Sequence, residues 1–273
     1  MTAENFKIGL IGAGYMGTAI AAGLIRKDPK FTTYLWVYDK IEEKAASFAE
    51  AVKIQKASSA KQIAEESDVI ILAVKPQDLA AIAEEIKGSL KTKALVISIL
   101  AGTPILKLET LLDAHAKQVG IVRAMPNLGA QVGAAMTAIT ASHPDLLGVG
   151  EMIFVGCGRV VRLEEKYFDL VTAVSGSGPA YFFHLMELMA KEAEQQGIAA
   201  KDARLLAVQT ALGAALLAAS SEETPGELRQ KVTSKGGTTE AALKVFEAGK
   251  FPEIVHKAIL AAQERGRQLA EGK

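Results

Sequence analysis

The chain has 273 residues, enough for two modest domains with cores of their own. Its 31 Lys and Arg residues balance 31 Asp and Glu residues, so no excess charge draws it towards nucleic acid or an anionic membrane, and we expect a small-molecule partner. A single cysteine, Cys157, excludes an internal disulfide, and we expect it in the core. The sequence shows no leader and no uncharged run of membrane-spanning length, so we expect a soluble, cytoplasmic protein.

A glycine-rich turn follows the first apolar run, residues 6–11. Gly12, Gly14 and Gly17 come at the start of a helical stretch that extends over 18–27. In a dinucleotide-binding turn the first glycine allows a sharp turn, the second lets a pyrophosphate approach, and the third lets helix and strand pack closely. An ordinary strand-to-helix turn is the alternative, but the strand before the glycines and the helix after them favour a nucleotide site.

The second predicted strand, 34–38, leads directly into Asp39. An acidic residue about 20 positions past the glycines can accept hydrogen bonds from the adenosine ribose, and it repels the extra phosphate of NADP. Asp39 therefore favours NADH, although the neighbouring Lys40 could hold a phosphate. The alternative is that Asp39 only caps the helix beginning near Ile41.

Strands and helices then alternate as far as residue 162. The predicted strands are 68–74, 94–99, 120–123, 134–139 and 159–162, and the predicted helices include 60–66, 77–86 and 104–114. The nearly continuous apolar run 68–74 is typical of a parallel strand buried on both faces, and Lys75-Pro76 then places loop backbone at the edge where α/β sheets bind ligands. The alternation predicts a doubly wound, mostly parallel sheet, a Rossmann-type α/β domain over 1–163.

Beyond residue 163 the pattern is helical nearly to the end, which predicts an all-helical second domain over 164–273. Long helices are expected over 179–196, 201–220, 237–247 and 252–269. Helix 201–220 is apolar on nearly every face, but its Arg204 and Gln209 argue against a membrane span. Burial against a second copy explains it better, so we expect a homodimer, with a large core inside one chain as the alternative.

Two further glycine-rich clusters open helices in the second half. They are SGSGPAY at 175–181 and SKGGTT at 234–239. Successive glycines leave backbone N–H groups uncovered at the positive end of a helix, which suits a carboxylate. Helix capping or close helix packing is the alternative for either cluster alone.

With these clusters the chain resembles the pyrroline-5-carboxylate reductase family over essentially its whole length. The resemblance rests on the glycine turn, AVKP at 73–76, RAMPN at 123–127, the cluster 175–181 and above all the cluster 234–239. It implies a Rossmann domain and a helical dimerisation domain, with the active site between one subunit's cofactor and the partner's helices. It also implies dimers that assemble into decamers. The implied reaction is hydride transfer from NADPH or NADH to the C=N carbon of 1-pyrroline-5-carboxylate, giving L-proline.

The resemblance also assigns residues. Thr239 is expected to hydrogen-bond the ring nitrogen, and the backbone of Gly236, Gly237 and Thr238 to hold the substrate carboxylate. Glu165 matches a position near the substrate amine, with a solvated acid at a helix start as the alternative. The other residues expected around the substrate are Ser175, Gly176, Ser177, Gly178, Pro179 and Ser234. The expected cofactor-binding residues are Gly12, Ala13, Gly14, Tyr15, Met16, Gly17, Asp39, Lys40, Ala73, Val74, Lys75, Pro76, Ala101 and Asn127.

The chain departs from the family's usual pattern in three places. Leu128-Gly129 replaces threonine and proline, Lys235 replaces a proline, and Ala60 stands where an asparagine often touches the adenosine. We expect these changes to affect substrate range and cofactor affinity.

Two other functions stay open at this stage, and no metal site is predicted. A two-domain β-hydroxyacid dehydrogenase would carry a catalytic lysine on a helix, but Lys191 lacks the supporting glycine and asparagine pattern. A non-catalytic nucleotide sensor would bind cofactor without turnover.

Overall fold

The computed structural model describes residues 6–271. Its strands are β1 (Ile8–Ile11), β2 (Leu35–Tyr38), β3 (Gln55–Lys56), β4 (Val69–Leu72), β5 (Leu95–Ser98), β6 (Gly120–Met125), β7 (Ala135–Ala141) and β8 (Gly158–Arg162). Its α-helices are α1 (Tyr15–Lys27), α2 (Phe31–Tyr34), α3 (Glu42–Val52), α4 (Ala60–Glu66), α5 (Leu79–Ile86), α6 (Ile105–Leu111), α7 (Ala114–Lys117), α8 (Leu147–Phe154), α9 (Phe168–Val171), α10 (Gly178–Gln195), α11 (Ala200–Ser220), α12 (Pro225–Lys231), α13 (Thr238–Ala248) and α14 (Phe251–Ala270).

In the described residues the strands form one sheet in the order β3-β2-β1-β4-β5-β6-β7-β8. Each neighbouring pair is parallel except β6 and β7, which are antiparallel. The chain order reverses at β1, which pairs with β2 on one side and with β4 on the other. In such a sheet a ligand crevice forms at the carboxyl ends of the strands where the order reverses. The predicted doubly wound, mostly parallel α/β sheet is confirmed.

Apolar helix faces cover both sides of the sheet. On one side Leu24 of α1 and Phe154 of α8 pack against it, and on the other Ile63 of α4 and Leu108 of α6 do so. Every residue of β1 and β4 is buried, as expected for central parallel strands covered on both faces. The sheet is therefore held by two apolar layers, which fix the positions of the strand ends.

Cys157 lies inside the first of these layers, where its Sγ is 3.8 Å from the carbonyl oxygen of Ala19. Burial raises the pKa of the Cys157 thiol to about 11. The thiol is therefore neutral at physiological pH and acts as a small core group, as the sequence predicts, rather than as a nucleophile.

Most predicted elements agree with the structure, and α4 spans the predicted 60–66. The predicted helix 104–114 is instead two helices, α6 and α7, because the residue before α7, Asp113, has a left-handed backbone with φ of 49°. The predicted helix 77–86 begins with a 3₁₀ turn at Pro76–Asp78. The sequence interpretation missed α8 and α12, although α12 carries a capping box formed by Thr224 and Glu227.

By its internal contacts the chain forms two compact units, as far as it is described. The first comprises residues 6–176 and 262–271, and the second comprises residues 177–261. Residue 163, after which the sequence places the domain boundary, comes directly after β8. The segment 164–176 lies with the first unit by contacts, and the boundary at 163 stays a prediction.

The second unit buries few of its apolar side chains within one chain. Its helices α10 and α11 pack together, yet Ala203 and Ala207 are the residues that α11 buries. Large apolar side chains that remain exposed on its helices include Phe182, Leu205, Leu216, Val245 and Ile254. Apolar surface on this scale is typical of a face that another protein surface covers.

Among the described residues α11 is also the helix that is long and apolar enough, by length and composition alone, to cross a bilayer. This property is a weak indication, because core helices of non-membrane proteins share it.

Candidate active site

The glycine turn has the geometry that its sequence predicts. Gly12 has φ of 110°, and a Cβ there would lie 2.5 Å from the carbonyl oxygen of Ala73. A Cβ on Gly17 would lie 2.1 Å from the carbonyl oxygen of Gly12, so α1 packs directly on the turn. A Cβ on Gly14, in contrast, would meet no atom within 4 Å. The turn is closed against the sheet at two glycines and open at the third, which fits a pyrophosphate at the start of α1.

Asp39 ties the end of β2 to this turn. Its Oδ2 accepts a hydrogen bond from the Ala13 N–H at 2.7 Å, and its Oδ1 accepts one from the Ile41 N–H at 2.9 Å. The bond to the Ile41 N–H closes a local turn and not a helix cap, because Ile41 is itself the N-cap of α3 and no side chain caps that helix. The structure therefore does not support the capping alternative. The other oxygen holds the glycine turn itself, a role that the sequence interpretation did not foresee.

A pocket of about 200 Å³ lies at these strand ends. The predicted cofactor residues that line it are Gly12, Gly14, Asp39, Lys40, Ala73, Val74 and Lys75. The remaining ones follow the ends of strands: Ala13, Tyr15, Met16 and Gly17 after β1, Pro76 after β4, Ala101 after β5 and Asn127 after β6. The predicted cofactor set thus collects at the carboxyl edge of the sheet.

Lys40 and Ala60, both singled out from sequence, have definite surroundings. The Lys40 ammonium pairs with the Asp78 carboxylate at 2.7 Å, and both residues line the pocket. Ala60 is the first residue of α4 and is fully buried in the second apolar layer. The position of Ala60 is therefore a packing position in this chain.

Glu165 belongs to a partly buried ion pair that the sequence interpretation missed. Its Oε1 accepts hydrogen bonds from Nη1 of Arg123 at 3.0 Å and from the Ile105 N–H at 2.8 Å. Arg123 is 5% exposed, and its guanidinium lies 4.7 Å from the centre of the Phe168 ring. Glu165 is thus bonded and half-buried rather than solvated, and its approach to a substrate amine stays a prediction. The sequence signal for a partner was the charged Arg123 at the end of a predicted strand, 120–123.

The cluster 175–181 begins against the end of β6. Asn127 donates from Nδ2 to Ser175 Oγ at 3.2 Å, and it accepts from the Gly129 N–H at 3.1 Å. A Cβ on Gly176 would lie 2.6 Å from Met125 Cε. The segment Thr172–Gly176 is a π-helix, a rare form that is often found at functional sites. Asn127, predicted for the cofactor, and Ser175, predicted for the substrate, are therefore in direct contact.

The rest of this cluster belongs to the second unit. Ser177, Gly178 and Pro179 lead into α10, with Pro179 in its first turn. Proline is well suited there, because the N–H that it lacks has no partner in a first helical turn. Leu128, one of the departures from the family pattern, is exposed after β6 in the first unit.

The cluster 234–239 forms the turn before α13 in the second unit. The Gly237 N–H donates to the Ser234 carbonyl at 3.0 Å, and the Gly236 N–H donates to Oε2 of Glu240 at 2.7 Å. Thr238 and Thr239 begin α13, where the helix leaves N–H donors without intrahelical partners. Two of the three predicted carboxylate-binding N–H groups are thus engaged within the chain, and the donors of the first turn remain for a ligand.

Metal-ligating side chains do not cluster in the described residues. No group of three or more His, Cys, Asp or Glu side chains there could hold a metal ion. His184 lies on α10, with Nδ1 3.3 Å from the Glu187 carboxylate one turn along the helix.

Models of known protein families match each half of the chain. A family model described as NADP oxidoreductase, coenzyme F420-dependent, matches residues 7–102. A model described as pyrroline-5-carboxylate reductase dimerisation matches residues 165–269.

Individual relatives match almost the entire chain. A pyrroline-5-carboxylate reductase of Methanosarcina acetivorans is 37% identical over 98% of this chain and 99% of its own. The solved structure of a pyrroline-5-carboxylate reductase from Coxiella burnetii is 38% identical, with a TM-score of 0.88 over 97% of this chain and 98% of its own. A pyrroline carboxylate reductase of Plasmodium falciparum, solved with NADP bound, is 28% identical, with a TM-score of 0.86 over 98% of this chain and 99% of its own.

The Arg123–Glu165 pair yields a stability prediction. Glu165→Ala would leave a buried guanidinium without its carboxylate, and we expect a loss of about 1–3 kcal/mol in the free energy of unfolding. This range is below that of fully buried pairs, because the Glu165 side chain is 34% exposed and solvent screens it. Equilibrium urea unfolding would measure the loss.

Glu151→Ala is the matched control, because Glu151 also pairs with an arginine, Arg162, but on the surface. It should change the free energy of unfolding by less than about 1 kcal/mol. Equal losses in the two variants would contradict a special role for the Arg123–Glu165 pair.

Proposed function

The chain belongs to the pyrroline-5-carboxylate reductase family, and we propose that it catalyses the reaction of that family: reduction of 1-pyrroline-5-carboxylate to L-proline, in proline biosynthesis, with NADH or NADPH as reductant. The near full-length identity of 37–38% to pyrroline-5-carboxylate reductases carries this proposal. A β-hydroxyacid dehydrogenase is disfavoured, because Lys191 of α10 lacks the supporting glycine and asparagine pattern. A nucleotide sensor without turnover is disfavoured by the same identity.

The proposed cofactor site is the pocket of the first unit. The reduced nicotinamide supplies the hydride. The N–H groups at the start of α1 would face the pyrophosphate, Asp39 the adenosine ribose, and Val74, Lys75 and Ala101 the nicotinamide half. Gly14, which has open space in front of it, would let the phosphates approach the backbone.

Reduction of the cyclic imine requires little acid catalysis by the protein. A cyclic imine is basic enough to be protonated near neutral pH, and the cationic iminium is already the better hydride acceptor, so the protein mainly aligns and desolvates the substrate. We propose that Thr239 hydrogen-bonds the ring nitrogen and that the turn 236–238 holds the carboxylate. Because Gly236 and Gly237 are engaged within the chain, Thr238 would provide the first N–H donor.

The proposed assembly is a homodimer with shared sites. The dimerisation model over 165–269 and the exposed apolar side chains of the second unit support association of two chains. The resemblance to the family implies that Thr239 contributes to the active site that contains the partner's cofactor. It also implies that five dimers associate into a decamer. We propose a cytoplasmic enzyme that binds neither membrane nor nucleic acid, with α11 covered by protein.

Substrate identity can be tested by following NADH and NADPH oxidation with the purified protein. We expect turnover with pyrroline-5-carboxylate and little with 2-keto acids, and no reduction of NAD⁺ by 3-hydroxy acids. Good turnover of another substrate without turnover of the cyclic imine would contradict the proposed function. Cofactor binding without any turnover would point to the nucleotide sensor.

Asp39 predicts that NADH binds at least as well as NADPH, because its carboxylate would repel an added 2′-phosphate. Asp39→Ser should shift the ratio of NADPH to NADH affinity towards NADPH by about three- to tenfold. Both affinities should also fall, since the Ala13 N–H loses its acceptor. Calorimetric titration with each cofactor gives the ratio.

Asp28→Ser is the control for Asp39→Ser. Asp28 accepts a hydrogen bond from the N–H two residues ahead, as Asp39 does, but it does not line the pocket. An unchanged ratio in Asp39→Ser, or an equal shift in Asp28→Ser, would contradict the assignment.

Thr239→Ala should lower kcat/KM by about ten- to hundredfold, because it removes one aligning hydrogen bond. Cofactor affinity should be nearly intact. A purely capping role would instead lower stability by about 0.5–2 kcal/mol and leave turnover per folded protein unchanged. The N-cap of α13 is Gly237, so we expect little loss of stability. Thr233→Ala, which removes a hydroxyl bonded to the Arg229 carbonyl, is the control.

Mixed dimers decide whether the site is shared. Gly14→Asp should fold, since a Cβ there meets nothing within 4 Å, but its carboxylate would occupy the space for the pyrophosphate. Mixed with Thr239→Ala subunits, it should restore about one site of two in each heterodimer. If heterodimers form and no activity returns, Thr239 serves its own chain's cofactor.

A further inference from the structure

Lys40 and Asp78 form an ion pair that joins two strand ends of the dinucleotide pocket. Lys40 follows β2 directly after Asp39, and Asp78 ends the 3₁₀ turn that follows β4. The Lys40 Nζ and Asp78 Oδ1 atoms are 2.7 Å apart. The Asp78 side chain is 26% exposed and that of Lys40 is 64% exposed, so the pair sits at the solvent edge of the pocket with the carboxylate on the inner side.

The charges of this pocket are not equally available to a ligand. Asp39 is held by two backbone N–H groups, and Lys40 is held by Asp78. Lys44 and Lys75 also line the pocket, and within residues 6–271 neither forms an ion pair with a carboxylate. In Rossmann folds a cation near the acidic residue after the second strand accommodates the 2′-phosphate of NADP. By position Lys40 is that cation, but it already has an anionic partner.

We propose that Asp78 is a specificity-determining residue for the cofactor, because it holds Lys40 in an ion pair and so withholds it from the 2′-phosphate of NADPH. The inference rests on the proposed function, since it takes the pocket as the site of the nicotinamide dinucleotide. NADPH has to displace the Asp78 carboxylate from Lys40 and then leaves that carboxylate beside its own phosphate. NADH, with a neutral 2′-hydroxyl, leaves the pair intact.

Two simpler explanations have to be separated from this one. Surface ion pairs often contribute little, so the Lys40–Asp78 pair could be without effect on binding. Removing any carboxylate near a phosphate also strengthens binding by long-range electrostatics, without a role for Lys40. The second explanation predicts a gain that does not need the lysine.

The test compares two ligands that differ only in the 2′-phosphate: adenosine 2′,5′-bisphosphate and adenosine 5′-monophosphate. Calorimetric titration at low salt gives both dissociation constants without any turnover. Asp78→Asn should bind the bisphosphate about three- to tenfold more tightly than the unmodified chain and the monophosphate within about twofold of it. NADPH and NADH should show the same pattern.

Lys40→Ala and the double variant locate the source of the gain. Lys40→Ala alone should weaken binding of the bisphosphate, because it leaves the Asp78 carboxylate without its counter-charge beside the 2′-phosphate. The double variant should bind the bisphosphate no more tightly than the unmodified chain, so that the gain of Asp78→Asn disappears. Glu84→Gln is the matched control: it removes one carboxylate from an ion pair of the same 2.7 Å length, with Lys87, outside the pocket.

The outcomes are distinguishable. An unchanged bisphosphate affinity in Asp78→Asn, a gain that persists in the double variant, or an equal gain in Glu84→Gln would each overturn the role of Asp78. Circular dichroism and thermal unfolding of each variant would show that the fold is retained. If the unmodified chain binds neither NADH nor NADPH, it is the proposed function that fails.

Discussion

The structure depends on a close backbone contact at the start of α1 that leaves no room for side chains. The Gly17 position lies against the Gly12 carbonyl, and the Gly12 position lies against the Ala73 carbonyl after β4. This contact sets the first helix directly onto the turn and holds the ends of β1 and β4 together. Asp39 then adds the end of β2 through the Ala13 N–H. Three neighbouring strand ends are thereby fixed to one another, and the pocket forms between them.

A second fixed point lies further along the same sheet edge. Arg123 of β6 carries its charge into the interior, and Glu165 neutralises it while accepting the Ile105 N–H at the start of α6. An unpaired buried guanidinium would be strongly unfavourable, so strand, helix and the segment after β8 have one favourable arrangement. The Asn127–Ser175 contact joins the same two segments a second time, further along each of them.

Sequence patterns predicted the parts of this protein that depend on local rules. Hydrophobic runs located the strands, and glycine spacing located the turn. The patterns did not reveal contacts between residues distant in the chain, such as Arg123 with Glu165 or Lys40 with Asp78. A charged residue does not specify its partner, since many pairings satisfy the same composition, and only the fold selects one.

The sequence interpretation was also incomplete where polar groups hydrogen-bond to each other within the chain. It assigned the N–H groups of the 234–239 turn to a ligand, yet Glu240, in the first turn of α13, accepts a hydrogen bond from the Gly236 N–H. A glutamate at the third position of a helix is a common capping residue, so the signal was present in the sequence. Glycine-rich turns at helix starts therefore have to be examined together with the first acidic residue that follows them.

The sparse core of the second unit has a consequence for how the protein comes into being. Helix α11 buries little more than Ala203 and Ala207 within its own chain. In the proposed homodimer, part of the free energy that stabilises this half would therefore come from apolar surface that the second chain covers. That step is bimolecular, so its rate would grow with the square of the concentration of unpaired chains.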